Sequence, residues 1–98
     1  TVWGYGGSYP GPTILARKNT PVNIEWKNEL RSGGTPLPHL LPIDTSIHWA
    51  DPQHSHGAGY SGPVPIVTHL HGGHTASSSD GHPDAWFTPG AAYTGRLY

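Results

Sequence analysis

Several residue types that carry common protein chemistry are absent or scarce in this 98-residue chain. It has no cysteine, which excludes a disulfide, a thiolate nucleophile and a zinc-finger site, and leaves the redox compartment unspecified. Only 11% of the residues are charged and the net charge is −1, so the basic footprint of a nucleic-acid or membrane-surface partner is missing. The longest apolar run, LPHLLPI, is broken by prolines and falls far short of the roughly 20 residues of a spanning helix.

Glycine, proline and aromatic residues are abundant by contrast. The chain has 14 Gly and 11 Pro, while hydrophobic residues make up only 34%, below the usual level of about 45–50% for globular chains. Four Trp and five Tyr nevertheless favour packing over solvated coil. The composition therefore predicts an all-β piece of at most one domain, with long loops and a thin core that depends on another subunit or on further sequence. Because the chain has neither a starting Met nor a signal peptide, we expect its natural start to lie upstream.

Hydrophobic periodicity predicts several short strands, of which two bear most on the site. In PVNIEWKNEL the apolar residues Val22, Ile24 and Trp26 alternate with polar ones, which is typical of a half-buried strand. Residues 31–63 are rich in Gly and Pro and have no lasting period, so we predict a long loop there. VPIVTHLH, residues 64–71, predicts a second strand, and no helix of ten or more residues is expected anywhere.

The second predicted strand ends in the motif His69-Leu70-His71. Because successive strand residues alternate faces, the two histidines share one face, about 6.5–7 Å apart along the backbone. Two imidazoles so placed are suited to zinc, copper or iron. The Gly72–Gly73 pair that follows lets the backbone turn without a side chain crowding a metal. The competing interpretation is two surface histidines that occur together by chance in a His-rich chain.

Other candidate residues carry weaker signals. A second His-X-His, His54 and His56, lies in a Gly-rich stretch without a strand pattern, which favours a polar loop. We interpret the remaining histidines as loop or packing residues: His39, His48, His74 and His82. No two carboxylates have the pattern of an acid–base pair, although Asp80 lies in the loop that follows the His69–His71 motif. HLHGGHT lacks the glutamate of the HExxH zinc-protease motif.

Four stretches together resemble the first cupredoxin domain of a multicopper oxidase, most closely the bacterial spore-coat laccase type. In chain order they are TVWGYGGSYPGPTI, LPIDTSIHWADPQH, VTHLHGG and DGHPDAWF, and they cover nearly the whole sequence. The resemblance implies an all-β fold, a cupredoxin-like Greek-key β-barrel or sandwich, left incomplete here and carrying long loops. Residues 1–98 would then be the amino-terminal part of the first domain, with the later cupredoxin domains supplied by further chain.

The resemblance also implies a function for the His-X-His motif. Such enzymes oxidise phenolic or similar small molecules one electron at a time and reduce O2 to water at a trinuclear copper cluster. By position, His69 corresponds to the type 2 copper ligand and His71 to a type 3 ligand. Asp80 corresponds to an acidic residue that helps to deliver protons to reduced oxygen. The implied location is extracellular or on the spore coat.

Several parts of such an enzyme are missing from these 98 residues. A blue (type 1) copper needs a thiolate ligand, and the chain has no Cys. The three further His-X-His motifs of the cluster are also absent, so we expect these residues to be inactive alone. Two alternatives remain: a non-catalytic copper-binding module that uses His69 and His71, and a cupin. A cupin usually needs a glutamate shortly after its His-X-His, and none occurs beyond Glu29.

Overall fold

The computed structural model describes residues 1–44, 60, 62–76 and 81–98. Regular structure in these residues is sparse: two short strands, β1 (Arg31–Ser32) and β2 (Thr35–Pro36), and two 3₁₀ turns, Tyr5–Gly7 and Pro89–Ala91. As expected from the lack of helical periodicity, none of these described residues lies in an α-helix. Correspondingly, this part of the chain holds no helix with the length and apolarity needed to cross a bilayer.

The two strands form an antiparallel hairpin within residues 31–63, for which the sequence predicts a long loop. Arg31 pairs with Pro36 and Ser32 with Thr35. Gly33 and Gly34 connect the strands with φ of 55° and 85°. Positive φ at both central residues is the requirement of a type I′ turn, whose twist matches that of the flanking strands. The loop prediction was therefore wrong here, because the Gly-Gly pair is itself a hairpin signal.

The predicted strand at residues 22–26 is not formed. Its apolar residues remain exposed, at 46% for Val22, 45% for Ile24 and 41% for Trp26. A strand is stabilised by hydrogen bonds and side-chain pairs with a neighbour, and no described segment pairs with this one. The ring of Trp26 contacts the ring of Tyr5, with the two ring centroids 5.2 Å apart.

The predicted Greek-key barrel or sandwich is likewise not assembled by the described residues, which form the one hairpin and two isolated bridges. The bridges join three segments through Phe87, which pairs antiparallel with Ile66 and with Thr94. Among the described residues, the predicted strand 64–71 is thus paired only at Ile66. Without the further strands that a barrel needs, each segment has too few neighbours to extend its ladder.

The core of the described residues lies around this three-segment junction and is as thin as the composition predicts. Its buried hydrophobic residues are Tyr60, Val64 and Phe87. Thr88 is fully buried, and its hydroxyl both accepts a hydrogen bond from the Tyr93 amide at 2.8 Å and donates one to the Tyr93 carbonyl at 3.1 Å. These bonds compensate for burying a polar group and fix the end of the segment that pairs with Ile66.

Candidate metal centre

The segment that carries the two histidines is anchored at Ile66. The Ile66 amide donates to the Phe87 carbonyl at 3.0 Å, and the Phe87 amide donates back to the Ile66 carbonyl at 2.9 Å. Phe87 itself is buried, as is Val64 two residues before Ile66. The pair of hydrogen bonds prevents the segment from sliding, so the position of the following residues is set by this anchor.

The imidazole rings of His69 and His71 lie side by side. Their centroids are 5.8 Å apart and their planes are nearly perpendicular, at 88°. Both residues are exposed to solvent. The two rings are therefore close together, but the predicted strand is not formed at either histidine, and His71 lies in a turn.

A tight turn follows His69 immediately. The Gly73 amide donates to the Leu70 carbonyl at 2.9 Å, which makes His71 and Gly72 the two central residues of a β-turn. Gly72 has a φ of 77°, the left-handed value that the second central residue of a type II turn requires. An added Cβ at Gly72 would meet nothing within 4 Å, so the backbone conformation rather than crowding requires glycine here.

A second glycine, Gly81, contacts the histidine segment from a later part of the chain. Gly81 packs so closely that an added Cβ would lie 1.8 Å from the Thr68 carbonyl oxygen and 2.9 Å from the His69 Cα. The sequence pattern does not mark Gly81 as part of the site. The Asp-Gly dipeptide signals a turn, but a contact between positions twelve residues apart cannot be recognised from a local pattern.

Four of the predicted candidates lie outside the described residues: His48, His54, His56 and Asp80. Of the other histidines, His74 is exposed. His82 is half-buried and its Nδ1 accepts a hydrogen bond from the Asp84 amide at 3.2 Å. That bond gives His82 the local structural role expected of a loop residue.

The ring of His39 packs against the ring of Tyr60. The ring centroids are 5.9 Å apart in an edge-to-face arrangement at 82°. Burial raises the pKa of Tyr60 to about 12, with a smaller contribution from Tyr93, and its hydroxyl donates to the Pro63 carbonyl. The contact fits the packing role predicted for His39.

The donor set fits part of a metal site. Two exposed imidazoles are suitable ligands for copper, zinc or iron. Among the described residues, however, no group of three or more His, Cys, Asp or Glu side chains comes together. The pair therefore offers two ligands on one side of a metal and leaves the remaining positions to groups from elsewhere.

Comparison with known proteins identifies the class. Residues 1–62, well over half of the chain, match the multicopper oxidase family. The chain belongs to that family and by this membership is part of a cupredoxin domain.

Three relatives illustrate the similarity. The laccase of Bacillus subtilis (strain 168) is 45% identical over 97 residues, which cover 99% of this chain and 17% of the laccase. The laccase of Haloferax volcanii is 42% identical over 93 residues, covering 92% of this chain and 15% of that protein. Multicopper oxidase LPR2 of Arabidopsis thaliana is 41% identical over 102 residues, covering 99% of this chain and 16% of that protein. The chain thus spans about one sixth of the length of these relatives. No solved structure matches it.

Proposed function

We propose that this chain is the amino-terminal part of the first cupredoxin domain of a laccase-like oxidase, and that His69 and His71 are two of its copper ligands. The observation that carries the proposal is the pair of exposed imidazoles with centroids 5.8 Å apart. The similarity to the Bacillus subtilis laccase supports it, because the alignment extends over 99% of the chain and so includes this pair. In the full protein we expect the Greek-key barrel to be completed by further strands.

The roles of the two histidines follow from this proposal. His69 ligates the type 2 copper and His71 one copper of the type 3 pair, as the resemblance implies. Bound copper would supply the one-electron chemistry that couples oxidation of a phenolic substrate to reduction of O2 to water. The contribution of this chain is to hold the two imidazoles in place, through the anchor at Ile66 before them and the turn that contains His71 and Gly72.

Two further parts of the proposal rest on the resemblance alone. Asp80, which follows the histidine segment in the sequence, delivers protons to reduced oxygen. The protein acts outside the cell or on the spore coat. Its partners are the later cupredoxin domains, O2 and a small reducing substrate.

Replacement of each histidine tests the proposal. In the copper-loaded full-length protein, His69→Ala or His71→Ala should abolish O2 consumption with a phenolic substrate. The blue absorption should survive, because the thiolate ligand of the blue copper is not in these residues. His74→Ala is the matched control, an exposed histidine three positions beyond His71, and should leave both properties unchanged. His54→Ala should likewise change neither.

Each other result has a definite meaning. Full activity in both the His69 and His71 variants would contradict the proposed ligand roles. Loss of the blue colour together with activity would indicate misfolding. Copper binding by the wild-type protein without O2 consumption would favour the non-catalytic copper-binding alternative. The denatured mass of the purified polypeptide, compared with 10.5 kDa for these residues, shows which chain is being assayed.

A further inference from the structure

Gly81 is held in a position where no other residue fits without a shift of the backbone. Its φ of 63° lies in the left-handed region, which disfavours side chains with a Cβ. An added Cβ would also lie 1.8 Å from the carbonyl oxygen of Thr68, 2.6 Å from its carbonyl carbon and 2.9 Å from the Cα of His69. Real Cβ atoms essentially never approach within 3.0 Å. All three of these atoms belong to the backbone, so a rotamer change cannot relieve the overlap.

The contact lies at His69, the proposed metal ligand, and not at a residue of the segment without a proposed role. His69 lies between the hydrogen-bonded anchor at Ile66 and the turn at Gly72. Gly81 touches the backbone between these two fixed points, at the peptide group that joins Thr68 to His69. Any displacement of this peptide group moves the Cα of His69, and with it the imidazole.

Hydrogen bonds on the carboxyl-terminal side of Gly81 hold its loop in place against the histidine segment. The Ala85 amide donates to the His82 carbonyl at 2.7 Å, which closes a turn directly after Gly81. The chain then continues to Phe87 and its two hydrogen bonds with Ile66. Because the same two segments meet at both Ile66 and His69, a side chain at position 81 would have to push the histidine segment and its own loop apart.

We infer that Gly81 is a positioning residue for His69, its missing side chain allowing the loop to hold the histidine backbone where the imidazole can ligate copper. The inference rests on the proposed function, since it assumes that His69 is a copper ligand. Metal ligands need to be held to within about 0.5 Å. An alanine at position 81 requires a shift of about 1 Å, because its Cβ would lie 1.8 Å from the Thr68 oxygen and must be at least 3.0 Å away. Loss of such a support typically weakens metal binding by about 10- to 100-fold.

The test compares Gly81→Ala with two matched glycine variants in the full-length protein. Gly34 has a φ of 85° and nothing within 4 Å of an added Cβ, so Gly34→Ala has the same backbone strain without the contact. At Gly95 an added Cβ would lie 2.1 Å from the Asp84 carbonyl oxygen, so Gly95→Ala has a comparable backbone clash away from His69. We expect copper retention against a chelator to fall about 10- to 100-fold in Gly81→Ala only.

The spectroscopic readout separates positioning from general destabilisation. The electron paramagnetic resonance signal of the type 2 copper should weaken or change in Gly81→Ala, while the blue absorption stays. Both controls should keep the wild-type signal. If Gly81→Ala does not fold, Gly81→Asn replaces it, because asparagine tolerates the left-handed conformation and retains the clash. Failure of both variants to fold, with Gly95→Ala folded, would overturn the inference, since Gly81 would then be required for folding.

His69→Ala, measured in parallel, distinguishes failure of the inference from failure of the proposed function. A normal type 2 signal in His69→Ala would contradict the ligand role itself. A signal lost in His69→Ala but unchanged in Gly81→Ala would contradict only the positioning role. A signal changed equally in Gly81→Ala and Gly95→Ala would also overturn the inference, because any local clash would then have the same effect.

Discussion

The side-chain amide of Asn28 donates a hydrogen bond of 3.1 Å to the carbonyl oxygen of Phe87, 59 positions away in the sequence. The same nitrogen donates to the Val64 carbonyl at 2.9 Å, and the side-chain oxygen accepts from the Leu30 amide at 3.2 Å. Asn28 is only 5% exposed. One buried polar side chain therefore joins the amino-terminal part of the chain to two of the three segments of the junction, those that contain Ile66 and Phe87.

Asn28→Ala should reduce the free energy of unfolding by about 1–3 kcal/mol, because the Val64 carbonyl loses the Asn28 donor and the Phe87 carbonyl loses one donor while keeping the Ile66 amide. Asn28→Asp should be more damaging, since it places a carboxylate oxygen against the same two carbonyl oxygens in a buried position. Urea unfolding of the full-length protein measures both effects. Asn23→Ala, at an exposed asparagine, is the control and should stay within about 0.5 kcal/mol of the wild type. Equal stability of all three variants would contradict the role assigned to Asn28.

The sequence predicted the local features of the candidate site better than the fold around it. The proximity of His69 and His71 and the turn at Gly72 follow from their spacing along one segment, and the structure has both. The contact at Gly81 depends on a tertiary approach that no local pattern contains. The strand predicted around Trp26 is wrong for a different reason. The alternating pattern is present, but a strand also needs a hydrogen-bonded neighbour, and no described segment supplies one.

The β1–β2 hairpin offers a test of local backbone chemistry. Gly33 has a φ of 55°, and an added Cβ there would meet nothing within 4 Å. Gly33→Asn should therefore be close to neutral, because asparagine is favoured at this position of a type I′ turn. Gly33→Val should destabilise by about 1–2 kcal/mol, since a β-branched residue resists the left-handed conformation. Thermal unfolding of the two variants measures the difference, and equal midpoints would be inconsistent with a type I′ turn.

Burial raises the pKa of Tyr60 from 10.0 to about 12, with a smaller contribution from Tyr93. Below pH 10 the phenol is neutral in both folded and unfolded chains, so its stabilising effect is fully present there. Between about pH 10 and pH 12 the unfolded chain ionises first, and the folded state loses stability as the pH rises. Ultraviolet difference titration of wild-type protein against Tyr60→Phe should show tyrosinate forming near pH 12. Ionisation near pH 10 would mean that the phenol is not buried as described.

Asp80 corresponds by resemblance to an acidic residue near the copper cluster. We therefore expect it to supply protons for the reduction of O2. In the copper-loaded full-length protein, Asp80→Asn should lower kcat for O2 reduction by about 10²- to 10⁴-fold, the usual contribution of a positioned proton donor. The loss should deepen as the pH rises, because the variant depends on protons from solvent, whereas the blue absorption should be unchanged. Asp84→Asn is the matched control in the same DGHPD stretch, since its carboxylate instead pairs with Arg96 at 3.2 Å. If both variants lose the same activity with the same pH profile, the effect reflects loop charge or folding, and the proton-delivery role of Asp80 is excluded.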